Sequence, residues 1–227
     1  MRAVASAVLA CVAALLCALA ATSIGANASH PATASISRPP IVNRSIPFGP
    51  KRKREMAAYS ERHYGQPRWR LHHPRVIVEH MAQASTAAAV YNAFAPDVPD
   101  VELGELPNVC SHFVIDSAGR IYKLVNLRTR CRHTVGLNWT AIGIEHTGYG
   151  DSDVLDNPRQ LRASLWLTQY LRCRFQIALS NVIGHNESLG SPFHHELVPR
   201  LRRQTHGDWK HRSMRVYRQR LARMKPC

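Results

Sequence analysis

Acidic residues are scarce in this chain. Its 227 residues hold 15 Asp and Glu against 30 Lys and Arg, a formal net charge of +15 with histidine neutral. Such a field favours polyanions, whether nucleic acid, anionic lipid headgroups or an acidic cell envelope, and it also serves solubility. No CxxC pair is present, which removes the usual ligand spacing of a structural zinc site. No internal repeat is visible. Beyond residue 28 no stretch is long and apolar enough to span a bilayer as a helix, so no stable membrane span is expected in the mature chain.

The N-terminus carries what the rest lacks. Met1-Arg2 is a charged start, residues 3–21 carry no charge, and Ala26-Asn27-Ala28 supplies a small-x-small cleavage site. Together they predict a signal peptide over residues 1–28 and a secreted or periplasmic protein. A membrane anchor is the rival, because the run is long enough to span. Its Ala-rich composition and the cleavage site favour removal. Export in turn weighs against nucleic acid as a partner and leaves anionic envelope polymers. Cleavage leaves 199 residues, enough for one domain with a core, with 29 Lys and Arg against 15 Asp and Glu, a net charge of +14. Cys11 and Cys17 depart with the leader. Cys110, Cys131, Cys173 and Cys227 remain, and four cysteines in an oxidising compartment allow three disulfide pairings.

Residues 29–70 read as a basic, Pro-rich linker with a short helix. Pro31, Pro39, Pro40, Pro47 and Pro50 precede the run Lys51-Arg52-Lys53-Arg54, and Glu55 to His63 can form a helix that stops at Gly65. The folded domain is expected over 71–227. Val76-Ile77-Val78 has the β-branched character of a buried strand, and Ser85 to Phe94 is Ala-rich and helical. His112 to Ile115 and Ile121 to Val125 flank Asp116-Ser117-Ala118-Gly119 as a hairpin. Ala141 to Glu145 and Val182-Ile183 are further strands. Asn157-Pro158 opens a helix as N-cap and first residue, and Leu161, Leu165, Thr168, Leu171 and Phe175 mark its buried face. Arg212 to Met224 closes the chain as a helix. Strands interleaved with helices indicate an α/β fold: one domain, a central mixed β-sheet flanked by helices.

Three residues stand where chemistry gathers in such folds. His80 ends the strand Val76–Glu79, and His185 ends Val182–Ile183. Carboxyl ends of neighbouring strands converge on one rim of a sheet. Two imidazoles there can hold Zn²⁺, and a third ligand would leave the fourth position open to water. Glu145 ends a strand in which Ile142 and Ile144 face the opposite side. A carboxylate so placed either pairs with a local arginine or serves as a general base.

At these residues the chain resembles the zinc-dependent N-acetylmuramoyl-L-alanine amidases, relatives of the peptidoglycan recognition proteins and phage amidase lysozymes. The resemblance runs from about Val76 to Asp208. It rests on VIVEH (76–80), SHFVIDSAGRIYKLV (111–125), RCRHTVGLNWTAIGIEH (130–146) and VIGHNES (182–188), in order. It implies hydrolysis of the amide between N-acetylmuramic acid and L-alanine in peptidoglycan or muropeptides, with a zinc site at one rim of the sheet. It implies His80 and His185 as zinc ligands, Glu145 as the catalytic carboxylate and His133 as a residue beside the substrate. Relatives carry a Lys-Thr-Asp-like motif for the third ligand. Gln204-Thr205-His206 is taken as its counterpart, with His206 as ligand and Gln204 in the lysine's place beside the substrate. Asp208 competes for the ligand role, His194 and His195 lie nearer in sequence, and Arg203 is a candidate helper. The alternative function is a peptidoglycan-binding module without catalysis.

Overall fold

The computed structural model describes residues 36–227; the expected leader lies outside them. Six strands form one sheet: β1 Ile41–Asn43, β2 Val76–Met81, β3 Phe113–Ile115, β4 Ile121–Lys123, β5 Ala141–His146 and β6 Val182–Gly184. Their order is β1-β4-β3-β5-β2-β6. Only the β3–β4 hairpin is antiparallel, so the sheet is mixed, as expected. Every residue of β2 and β5 is buried, as befits parallel strands covered on both faces.

Among the described residues, five α-helices flank the sheet: α1 Pro50–Tyr64, α2 Ala87–Phe94, α3 Asp151–Leu155, α4 Pro158–Phe175 and α5 His211–Ala222. The Asn157 side chain accepts the N–H groups of Arg159 and Gln160, which caps α4 and fixes where it starts. Leu161, Leu167 and Leu171 of α4 then pack with Met214, Tyr217 and Leu221 of α5 against Ile77, Ile142 and Ile144. Across the sheet, Ala87 and Val90 of α2 cover Val114. Phe48 links that cluster to Met56, Tyr59 and Tyr64 of α1. Two disulfides close the framework, Cys110–Cys131 and Cys173–Cys227. The second ties the end of α4 to the C-terminus.

From Ile41 onward the segment read as a linker is folded. β1 pairs in parallel with β4, and Arg44 and Ile46 extend the pairing by donating to the carbonyls of Lys123 and Leu124 at 3.0 Å. The helix begins at Pro50 rather than Glu55 and takes in the basic run. Arg52 from that run is 1% exposed. Its guanidinium donates to the carbonyls of Pro47, Phe94 and Asn108 at 3.3, 3.0 and 3.1 Å. Composition misleads here for two reasons. Edge pairing uses backbone groups that any sequence has, and a cation satisfied by carbonyls is buried while still counting as polar.

Candidate functional site

β5, β2 and β6 are adjacent, and their carboxyl ends meet at one rim. His80 lies in register with Glu145, and Glu79 with Gly184, so His185 follows one step beyond β6. The structure thus brings His80, Glu145 and His185 together. Nδ1 of His80 and Nδ1 of His185 face each other at 3.1 Å.

The third member differs from the expected one. Asp208, not His206, points at the pair. Its Oδ1 lies 3.4 Å from His185 Nδ1 and its Oδ2 3.9 Å from His80 Nδ1. His80, His185 and Asp208 offer three ligand atoms within 4.8 Å of one another. The local backbone explains the choice. Asp208 Oδ2 accepts the Met81 N–H at 3.0 Å, and the Asp208 carbonyl accepts the Asn186 N–H at 3.0 Å. The next residue, Trp209, is wholly buried against His146 and Tyr217. It passes so close to Gly184 that a Cβ there would sit 2.6 Å from the Trp209 Cβ. A loop anchored this way holds Asp208 inward. His206, two residues earlier, is exposed instead. Its ring stacks on that of His185 at 4.5 Å, and its Nε2 lies 3.1 Å from Glu102 Oε2.

Electrostatics separate the acids from the imidazoles. Burial, then the neighbouring His185 and His133, drive the pKa of His80 well below the ordinary histidine value. The ring is therefore neutral, the form that binds metal ions. Burial alone would raise Asp208, but its hydrogen bond and charge interaction with His185 hold it below the usual carboxylate range. Burial, with the charge of Asp208 second, pushes Glu145 up to about 8. Two imidazoles and one carboxylate on a common point form a donor set for a divalent cation with mixed N and O preference. The 3.1 Å nitrogen spacing is close to the ~3.3 Å that tetrahedral coordination at about 2.0 Å imposes.

The cluster opens into a cavity of about 230 Å³, whose lining includes His133, Glu145, Gln204 and His206. His133 borders it but leans on the far side of His80. Its Nδ1 lies 3.1 Å from His80 Nε2, and the Thr134 hydroxyl lies 3.3 Å from the same nitrogen. The His133 ring lies across Gly143, where a Cβ would come within 2.7 Å of it. Gln204 Nε2 donates to Glu102 Oε1 at 2.9 Å across the cavity mouth. The other candidates lie elsewhere. His194 packs on Gly136, His195 donates its N–H to the Gly136 carbonyl at 2.9 Å, and Arg203 is exposed. Glu187, another acid near this rim, is taken by Arg218 at 2.6 and 2.9 Å. Two supporting residues were not anticipated, Thr134 and Asn138. Their role lies in hydrogen bonds that no spacing in the sequence announces.

A family model described as N-acetylmuramoyl-L-alanine amidase matches residues 70–205, more than half of the chain. The chain belongs to this family. The amidase is also similar to solved structures, each at low identity. An endolysin N-acetylmuramoyl-L-alanine amidase, LysCS, from Clostridium intestinale URNW is 18% identical, with 67% of this chain and 85% of that one covered and a TM-score of 0.48. Drosophila PGRP-LB is 15% identical, with 65% and 83% covered and a TM-score of 0.45. AmiD from E. coli, solved with anhydro-N-acetylmuramic acid-L-Ala-D-γ-Glu-L-Lys, is 21% identical, with 52% and 50% covered and a TM-score of 0.40. No curated protein matches this amidase. Among the described residues, no helix is long and apolar enough to cross a membrane.

Proposed function

We propose that this amidase is an exported, zinc-dependent enzyme that hydrolyses the amide between the lactyl group of N-acetylmuramic acid and the L-alanine of the stem peptide. The observation that carries the reading is the convergence of His80, His185 and Asp208 beside Glu145 in one cavity. A set of two histidines and one carboxylate is a recurrent catalytic zinc environment that leaves a coordination position free. Zinc bound there would supply Lewis acidity to the scissile carbonyl and to the attacking water. Glu145 accepts the proton of that water and returns it to the leaving amine nitrogen, which departs as the free α-amine of L-alanine. Cation binding beside a carboxylate lowers its pKa from the raised value set by burial, which readies Glu145 to act as a base. Asp208 contributes charge to the donor set, while Gln204, His206 and Glu102 line the mouth through which the peptide enters. Muropeptide binding by AmiD supports peptidoglycan as the partner class. The leader-like N-terminus supports action outside the cytoplasm, where a net charge of +14 after leader removal suits anionic envelope polymers.

The test combines metal analysis of the purified chain with digestion of peptidoglycan and of a soluble muropeptide. Stoichiometric zinc and new peptides with free N-terminal L-alanine are expected. Tight binding of peptidoglycan without release of peptides would make the protein a recognition module instead.

A further inference from the structure

Helix α1 lies outside the family-matched residues 70–205, yet it reaches the metal ligands. Tyr59 of α1 is fully buried and also borders the cavity. Its hydroxyl accepts the Asn138 side-chain amide at 3.2 Å. The Oδ1 of that amide accepts two backbone N–H groups, those of His133 at 2.8 Å and Thr134 at 2.7 Å. His133 Nδ1 and the Thr134 hydroxyl in turn meet His80 Nε2, on the ring edge opposite the Nδ1 that faces His185 and Asp208. The path from α1 to the ligand ring is thus an unbroken series of hydrogen bonds.

Direction gives the series its force. The Asn138 amide can hold two N–H groups only with its oxygen turned toward them, and its NH₂ then needs an acceptor on the other side. Tyr59 provides one. Without that hydroxyl the buried NH₂ loses its partner, and the amide gains by rotating away from the His133–Thr134 backbone. Tyr59 itself is fixed twice over. Its ring stacks on His63 at 3.8 Å, and the Arg132 guanidinium lies 4.6 Å from the ring centre. His63 is clamped between Glu196 at 2.9 Å and Glu105 at 2.8 Å.

We infer that Tyr59 is a positioning residue for the metal centre, acting through Asn138 and the His133–Thr134 turn to fix the ring of His80. The inference rests on the zinc reading above. Partners that orient a ligating histidine typically change metal affinity by about 10- to 100-fold when removed.

The experiment measures zinc affinity of the full chain by competition with a chromogenic chelator. Tyr59→Phe keeps the stacking on His63 and removes only the hydroxyl. Its zinc Kd is expected to rise about tenfold, the low end of that range because the effect passes through Asn138. Asn138→Ala is expected to do at least as much, and the double variant no more than Asn138→Ala alone, since the two act in series. Met56→Val is the packing control: it loosens the same buried cluster of α1 without touching the series. It should lower the melting temperature and leave the zinc Kd unchanged. Wild-type affinity in Tyr59→Phe, additive effects in the double variant, or an equal loss in Met56→Val would each overturn the inference. A wild-type chain that binds no zinc would remove the metal reading first, and this inference with it.

Discussion

The two faces of the sheet at the ends of β2 and β5 carry the same residue types in opposite order. On the cavity face β2 gives His80 and β5 gives Glu145; on the core face β2 gives Glu79 and β5 gives His146. Burial pushes both carboxyls up to about 8. What differs is the company. On the core face hydroxyls surround the pair: Thr168 donates to Glu79 at 2.8 Å, Ser164 meets His146 Nε2 at 2.7 Å, and Tyr217 touches both hydroxyls. Neutral groups meet neutral partners, and the result is packing. On the cavity face His80 meets a second imidazole and the Asp208 carboxylate, an arrangement that suits a cation. A histidine and a glutamate at a strand end therefore do not define a site; the third and fourth groups decide.

The comparison can be broken most sharply at its deciding residue. Asp208→Ala is expected to lose zinc at micromolar metal and, with it, turnover, whereas His206→Ala should keep the metal. Metal analysis after gel filtration reads both, and full occupancy in Asp208→Ala would return the third position to His206. Next in size is Glu145→Gln, which should retain zinc while turnover on a soluble muropeptide falls about 10²-fold or more. Near-normal turnover would show that the cavity-face carboxylate is as passive as its core-face counterpart.

Glu79→Gln should show the reverse pattern, with turnover near wild type and an altered pH dependence of stability. The folded pKa of Glu79 is raised above its unfolded value, so its favourable contribution is complete below about 4.5 and is lost as pH rises to about 8. Glutamine has no charge to bury. The variant's melting curve at pH 8 should therefore lie above that of the wild type, each kcal/mol moving the midpoint by about 2–4 °C. Equal slopes for the two proteins between pH 5 and pH 8 would mean Glu79 titrates normally. The smallest effect is expected away from both faces, at His63. Burial alone would lower its pKa, but Glu105 and Glu196 raise it above the ordinary value. Its contribution is therefore present below about 6.5 and fades as pH rises through the folded value. His63→Gln should flatten that part of the wild-type stability profile, and thermal melts across neutral pH would show it.

Much of this molecule was legible in the sequence because the signals were local. The β-branched runs, the Asp116 turn and the Asn157-Pro158 cap all became the elements they implied, and strand ends placed His80, Glu145 and His185. The less legible parts depend on contacts between distant segments. Placing His206 ahead of Asp208 follows the order of a motif, whereas Trp209, buried next door, and the Met81 N–H are what turn the Asp208 side chain toward the histidines. Residues 41–54 read as linker because their folding relies on backbone pairing and on carbonyls around Arg52. Tyr59 sits in the short helix that the sequence does indicate, but its partners Asn138 and Arg132 lie more than 70 residues away, and no local pattern points to them.

The close pass of Trp209 over Gly184 has an evolutionary reading. A Cβ at 184 would collide first with the Trp209 carbonyl oxygen and then with its Cβ, atoms that nearly every residue at 209 would also carry. A side chain larger than hydrogen at 184 would lift the 208–209 loop and carry Asp208 away from the histidines. A smaller residue at 209 would leave that backbone collision in place and unseat the loop. The constraint on 184 thus comes from the backbone of 209, and lineages that preserve the activity should keep glycine there whatever side chain position 209 carries.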